Sequence, residues 1–162
     1  MDNLEIYTKR GKQSLAWELE AYALFEKKFT GFTIKHTNKK FAEPFDGWIC
    51  KENRITSIVE TKCRVNVNYA EFLKIYNMTW LITDAKLQRI AQEIIKMINP
   101  VALYGFLYFP ADKILLVKRL IDKDGEILKR TVKMSKTTLN CNGGATVGLN
   151  SFIDMNNALH IT

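Results

Sequence analysis

Cysteine is scarce in this chain: three residues, Cys50, Cys63 and Cys141, with no Cys-x-x-Cys pair among them. An odd count, two of them inside strand-like runs, excludes a disulfide framework and a cysteine zinc site, and it predicts reduced thiols in a cytoplasmic compartment. Histidine is scarcer still. His36 and His160 stand far apart with no matched spacing, so neither belongs to a histidine metal signature. No apolar run approaches the ~20 residues that span a bilayer. The opening Met1-Asp2-Asn3-Leu4-Glu5 is acidic where a signal peptide is basic, so neither secretion nor a membrane partner is expected. Glycines never fall in the Gly-x-x-x-x-Gly-Lys-Ser/Thr pattern of a phosphate cradle, which leaves Asn140-Cys141-Asn142-Gly143-Gly144 as a turn cluster. Asp122-Lys123-Asp124-Gly125 lacks the repeated acids and terminal glutamate of a calcium loop. Internal repeats and low-complexity tracts are missing too.

What the chain does have is enough apolar material for one core. At 162 residues and 47% hydrophobic it reads as a single domain, 1–162. Its net charge of +7 favours a polyanionic partner, nucleic acid ahead of a mere surplus of solubilising lysine.

Residues 14–29 have helical spacing, opened by Ser14 and closed by Gly31, and they gather Leu15, Trp17, Ala21, Tyr22, Phe25 and Phe29 on one face. Glu18 falls in the middle of that face and Glu20 on the opposite side. A strand is expected at 32–36, then a turn-rich loop through Pro44, then a hairpin over 45–64. A short helix at 69–76 precedes a second long helix over 84–98, whose apolar stripe is Leu87, Ile90, Ala91, Ile94, Ile95 and Ile98. Strands follow at 101–109 and 114–121, with 126–134 continuing the sheet.

The hairpin carries the chemistry. A turn centred between Glu52 and Asn53 sets Asp46 opposite Val59 and beside Glu60, while strand alternation puts Glu60 and Lys62 on one face. Two carboxylates and an amine at the mouth of a sheet suit Mg²⁺, a hard cation that takes one or two carboxylates, several waters and a substrate phosphate. Lys62 is placed to serve the attacking water and the charge that grows on phosphorus. The plain alternative is a solvated strand end with a surface salt bridge, worth roughly 0 to 1 kcal/mol. Glu18, aimed at a core, must either bend to the rim, bond a buried tyrosine, or point over the sheet toward Asp46 and Glu60. Lys35, His36, Lys39 and Lys40 lead into Asp46 and are expected to hold nucleic-acid phosphates. Lys129, Arg130, Lys133 and Lys136 form a second basic edge, which either extends that surface or protects an edge strand.

An aspartate opening one strand and Glu60-Thr61-Lys62 closing the next, after an apolar lead-in, resembles the signature of the PD-(D/E)XK nuclease superfamily. The proline that loosely precedes the aspartate in that superfamily is displaced here to Pro44. The resemblance covers residues 14–109. It implies an α/β fold with a restriction-endonuclease-like αβββαβ core, a mixed central sheet flanked by helices. Residues 110–162 then form a β-rich C-terminal extension. It implies a magnesium-dependent deoxyribonuclease, with Mn²⁺ as a substitute, that leaves 5′-phosphates. Asp46, Glu60 and the Thr61 carbonyl would be metal ligands, and Lys62 would be catalytic. Glu18 matches the first-helix glutamate found in the Holliday-junction resolvases of the superfamily. Lys86 or Gln88 would be the auxiliary residue supplied by the following helix, Lys86 being favoured by its place one turn into it. A junction substrate would call for a homodimer, since two strands must be cut. A recombination-type exonuclease shares the same site, and a basic module that binds nucleic acid without cutting is the rival of another class. A metal-independent RNA-splicing endonuclease would need a histidine and tyrosine constellation that is missing.

Overall fold

The computed structural model describes residues 9–37, 44–136 and 147–162. Helix α1 (Lys9–Lys28) begins a turn and a half earlier than Ser14 and ends short of Gly31, whose φ of +92° suits a residue without a Cβ. Lys27 and Lys28 sit in its last turn, where cations complement the helix dipole. Then come β1 (Phe32–His36), β2 (Gly47–Lys51), β3 (Arg54–Cys63), α2 (Tyr69–Ile75), β4 (Thr79–Thr83), α3 (Asp84–Lys96), β5 (Ala102–Phe109), β6 (Ile114–Ile121), β7 (Thr131–Lys136), β8 (Val147–Asp154) and β9 (Leu159–Ile161). The molecule is α/β. A mixed six-stranded sheet runs β1-β2-β3-β5-β6-β9, parallel only between β3 and β5, and a smaller antiparallel sheet runs β4-β8-β7.

Strand β4 adds to the elements expected from the sequence, being short and merging with the helix start, and two expectations need correction. The segment after Gly125 does not continue the large sheet: Ile127 makes one isolated bridge to Ile121, and β7 starts only at Thr131, in the second sheet. In α3, Leu87, Ile90, Ala91 and Ile94 are buried as expected, but Ile95 is exposed within the helix, and Ile98 is exposed past its end at Lys96.

The large sheet has a core on each face. Ala21, Tyr22 and Phe25 of α1 pack on Ile49, Val59 and Phe106. On the other face Ile58, Leu103 and Leu107 meet α3 and the second sheet through Leu87, Ile90, Trp80 and Ile153. Trp80 comes so close that a Cβ on Gly105 would lie 2.4 Å from its ring, so Gly105 is what lets the two sheets approach. Glu52 and Asn53, with φ of 50° and 62°, make the hairpin turn of the mirror-image kind that matches strand twist. Among the described residues no helix is long and apolar enough to cross a membrane.

Candidate active site

A β-bulge decides how the acids meet. Lys51 pairs with Arg54 and Cys50 with Ile55, but Ile49 pairs with Ser57, so Thr56 is the extra residue. Its hydroxyl donates to the Ile49 carbonyl at 3.1 Å. From there on the register is shifted by one: Gly47, not Asp46, pairs with Val59, and Asp46 comes level with Glu60. The Asp46 N–H still reaches the Val59 carbonyl at 2.9 Å, and its Oδ2 accepts the Thr61 N–H at 2.8 Å. Gly47 is required beside it. A Cβ there would lie 2.9 Å from the Lys35 carbonyl and 3.1 Å from the Tyr22 hydroxyl.

Alternation along β3 separates the rest between two faces. Glu60 and Lys62 face the second sheet, where they line a cavity of about 160 Å³ with Trp80, Leu81, Ile82, Thr83 and Lys86. Lys86, from the first turn of α3, donates to Glu60 Oε1. Glu60 is 6% exposed, and its second oxygen, Oε2, is buried with no hydrogen-bond partner among the described residues. On the α1 face stand Glu18, Tyr22, His36 and Cys63. Glu18 Oε2 lies 3.7 Å from His36 Nδ1, and the His36 ring packs 4.7 Å from that of Tyr22. Asp46, past the end of β2, sits where the two faces meet.

The electrostatics follow from this crowding. Burial, then the charge of Asp46, pushes the Glu60 carboxyl up to about 8; Lys86 opposes this and Glu18 adds to it. Burial works against the Lys86 ammonium, yet the carboxylates of Glu60, Asp46 and Glu18 outweigh it and raise its pKa. Lys62 is lowered by burial and then by the neighbouring charges of Arg64 and Lys86. Burial and the nearby acids raise the Tyr22 hydroxyl and the Cys63 thiol, which keeps both protonated.

Asp46, Glu60, Lys62 and Lys86 are therefore brought together, with Glu18 close enough to act on them electrostatically. Gln88 does not line the cavity; its side chain is among the minor influences that lower the Asp84 carboxyl. Lys35 is exposed on β1, whereas His36 turns its ring nitrogens inward beside Glu18. Lys39, Lys40 and Cys141 lie outside the described residues.

Two features escaped the sequence reading. Tyr22, on the apolar face of α1, places its hydroxyl at the site. Arg130, on the expected basic edge, is a partly buried partner of Asp84: its Nη2 is 2.8 Å and its Nε 3.2 Å from Asp84 Oδ1, while Ser151 donates to the same oxygen at 2.7 Å. No spacing could reveal that cluster, because its members are far apart in the chain.

The donor set is one of hard oxygens, and the buried, unpartnered Glu60 Oε2 beside Asp46 is the kind of atom a small divalent cation satisfies. No group of three or more His, Cys, Asp or Glu side chains poised to hold a metal occurs among the described residues, so a cation here would draw on two carboxylates, backbone carbonyl and water. No protein-family model, curated protein or solved structure matches the chain.

Proposed function

We propose that this protein is a magnesium-dependent deoxyribonuclease of the PD-(D/E)XK kind, with a restriction-endonuclease-like core. The observation that carries the reading is the buried Glu60, level with Asp46 across the β2–β3 hairpin and sharing a cavity with Lys62. The order α1-β1-β2-β3, α3, β5 supports it, α2 and β4 being inserted before α3.

In this reading Asp46 and Glu60 would hold Mg²⁺, with the Thr61 carbonyl, and Glu18 through water. The ion supplies Lewis-acid polarisation of a phosphate oxygen and a more acidic water. Mn²⁺ would substitute. Lys62 Nζ, its pKa lowered by burial, orients the attacking water and takes up or relays its proton. The water oxygen bonds to phosphorus as the P–O3′ bond breaks, leaving a 5′-phosphate, and the departing oxygen gains a proton. Lys86, half exposed, pairs with Glu60 Oε1 and would have to give up that oxygen for a cation to share it. Lys35 holds phosphate from the exposed side of β1. Fold alone does not select among linear, flapped and junction DNA, and a junction resolvase would act as a homodimer in the reducing cytoplasm.

The test is to incubate the chain with linear, nicked, single-stranded and four-way-junction DNA in Mg²⁺ or EDTA, beside Lys62→Ala and Asp46→Asn. We expect metal-dependent cutting that falls about 10²–10³-fold in each variant. No cutting by wild type, or equal cutting by all three, overturns the proposal. The Lys86–Glu60 ion pair favours a second reading, a nucleic-acid-binding module that never cleaves, which predicts equal DNA binding and no cutting in every sample.

A further inference from the structure

The cavity of Glu60 and Lys62 does not end at α3, because one of its walls is a strand of the second sheet. Leu81 and Thr83 of β4 line it, whereas Trp80 and Ile82, also at its rim, turn into the core. The register then extends the Leu81 and Thr83 face across the sheet. Leu81 pairs with Phe152 and Phe152 with Thr131; Thr83 pairs with Asn150 and Asn150 with Lys133. Residues opposite one another share a face, so these two rows run from the cavity to the edge strand β7, a distance of about 10 Å.

The chemistry of the rows is uniform. Thr83, Thr131 and Lys133 are exposed and Phe152 is half-buried with Lys133 Nζ 4.4 Å from its ring centroid. Asn150 is fully buried and donates to Ser135 and to the Gly148 carbonyl, which stiffens the strands beneath. Neither row carries an acid. Asp154, on the same face at the far end of β8, has its carboxylate engaged by Asn156. A face with one aromatic ring, one lysine and the exposed hydroxyls of Thr83 and Thr131, beside the cavity proposed to take phosphate, has the composition of a surface for an unpaired strand: an aromatic ring for a base, a cation and hydroxyls for the backbone. A duplex keeps its base faces stacked on each other and presents none of them to a ring.

We propose that this outer face of the β4-β8-β7 sheet guides a single-stranded segment of the nucleic acid away from the Glu60–Lys62 cavity, with Phe152 stacking a base and Lys133 moving from the ring to a phosphate. The inference rests on the nuclease reading for its direction but makes a binding claim of its own.

The experiment uses the full chain in EDTA and a fluorescein-labelled oligodeoxythymidylate, beside a blunt duplex of equal length, with anisotropy as the readout. Stacking of one base is worth about 1–3 kcal/mol, so Phe152→Leu, which keeps apolar bulk in the sheet, is expected to weaken oligonucleotide binding about 5–150-fold. Duplex binding should change less than twofold. Phe152→Trp is expected to restore or tighten the oligonucleotide complex, which a folding defect would not do. Lys133→Gln should lower the dependence of log affinity on log salt by about 0.7, one phosphate contact to a single strand. Undiminished binding by Phe152→Leu, equal loss on both probes, or no binding by wild type overturns the platform. Its failure is separable from that of the enzyme. Wild type that binds through Phe152 yet cuts nothing removes the nuclease and keeps the platform; wild type that cuts while Phe152→Leu binds normally does the reverse.

Discussion

Asp84 and Glu60 are both acids withdrawn from water against a cation, and their surroundings push them in opposite directions. On Asp84, burial is outweighed by the bonds from Arg130 and Ser151, and the carboxyl is held below its ordinary range. On Glu60, one oxygen meets Lys86, the other meets nothing among the described residues, and burial with Asp46 raises the group to about 8. The lesson is in the satisfaction, not the charge. A completed cluster fastens α3 to β7 and β8; an incomplete one holds an unmet demand for positive charge where a ligand can reach it.

The largest expected effect tests that demand directly. Because the folded-state pKa of Glu60, about 8, lies above its ordinary value of 4.5, the folded protein keeps a proton that the unfolded chain releases. Its contribution is therefore flat below 4.5 and grows unfavourable as pH rises toward 8, by up to about 1.4 kcal/mol per pH unit. The raised pKa of Lys86 acts above its ordinary value of 10.5, outside this window. Urea unfolding without divalent ions should show wild type losing about 4 kcal/mol, at most, over three pH units, relative to Glu60→Gln. Parallel pH profiles for the two proteins would erase the contrast with Asp84. Adding Mg²⁺ at pH 8 should stabilise wild type and leave Glu60→Gln almost unmoved, the gain being about 2.7 kcal/mol at a hundredfold excess over Kd.

The fastening is the next largest. Arg130→Met leaves the part-buried Asp84 carboxylate without its main partner, at a cost of about 1–3 kcal/mol. Replacing both, as Asp84→Leu with Arg130→Leu, should recover most of the loss. If the single variant unfolds at the wild-type urea midpoint, Asp84 is not held as described and the comparison fails from the other side.

How much of this was legible differs between the same two regions. The Glu60 site came through because its parts lie on one hairpin: a turn at Glu52 and Asn53, alternation along β3, and an aspartate at the strand start are short-range signals. Only the register was off by a residue, since a bulge at Thr56 has no distinct sequence mark. The Asp84 cluster joins residues that meet only after β7 and β8 fold back against α3, and nothing local in Arg130 separates an exposed edge from a buried clamp. β4 was hidden for a related reason: Thr79–Thr83 is short, and its pattern runs directly into the helix that begins at Asp84.

The smallest effect divides the two glutamates of α1, which helical periodicity alone set on opposite sides. Glu20 accepts the Tyr108 hydroxyl at 2.8 Å, away from Asp46, whereas Glu18 lies by His36 and acts on Glu60. Glu20→Gln keeps an oxygen acceptor for that hydroxyl, so the change should be about 1 kcal/mol or less, and Tyr108→Phe should match it. Neither should alter the Mg²⁺-induced shift in unfolding midpoint, while Glu18→Gln should reduce it, because removing a carboxylate near Asp46 lowers the attraction for a divalent ion. Equal Mg²⁺ responses from Glu18→Gln and Glu20→Gln would take Glu18 out of the ion's surroundings, leaving Asp46 and Glu60 as the carboxylates that draw it.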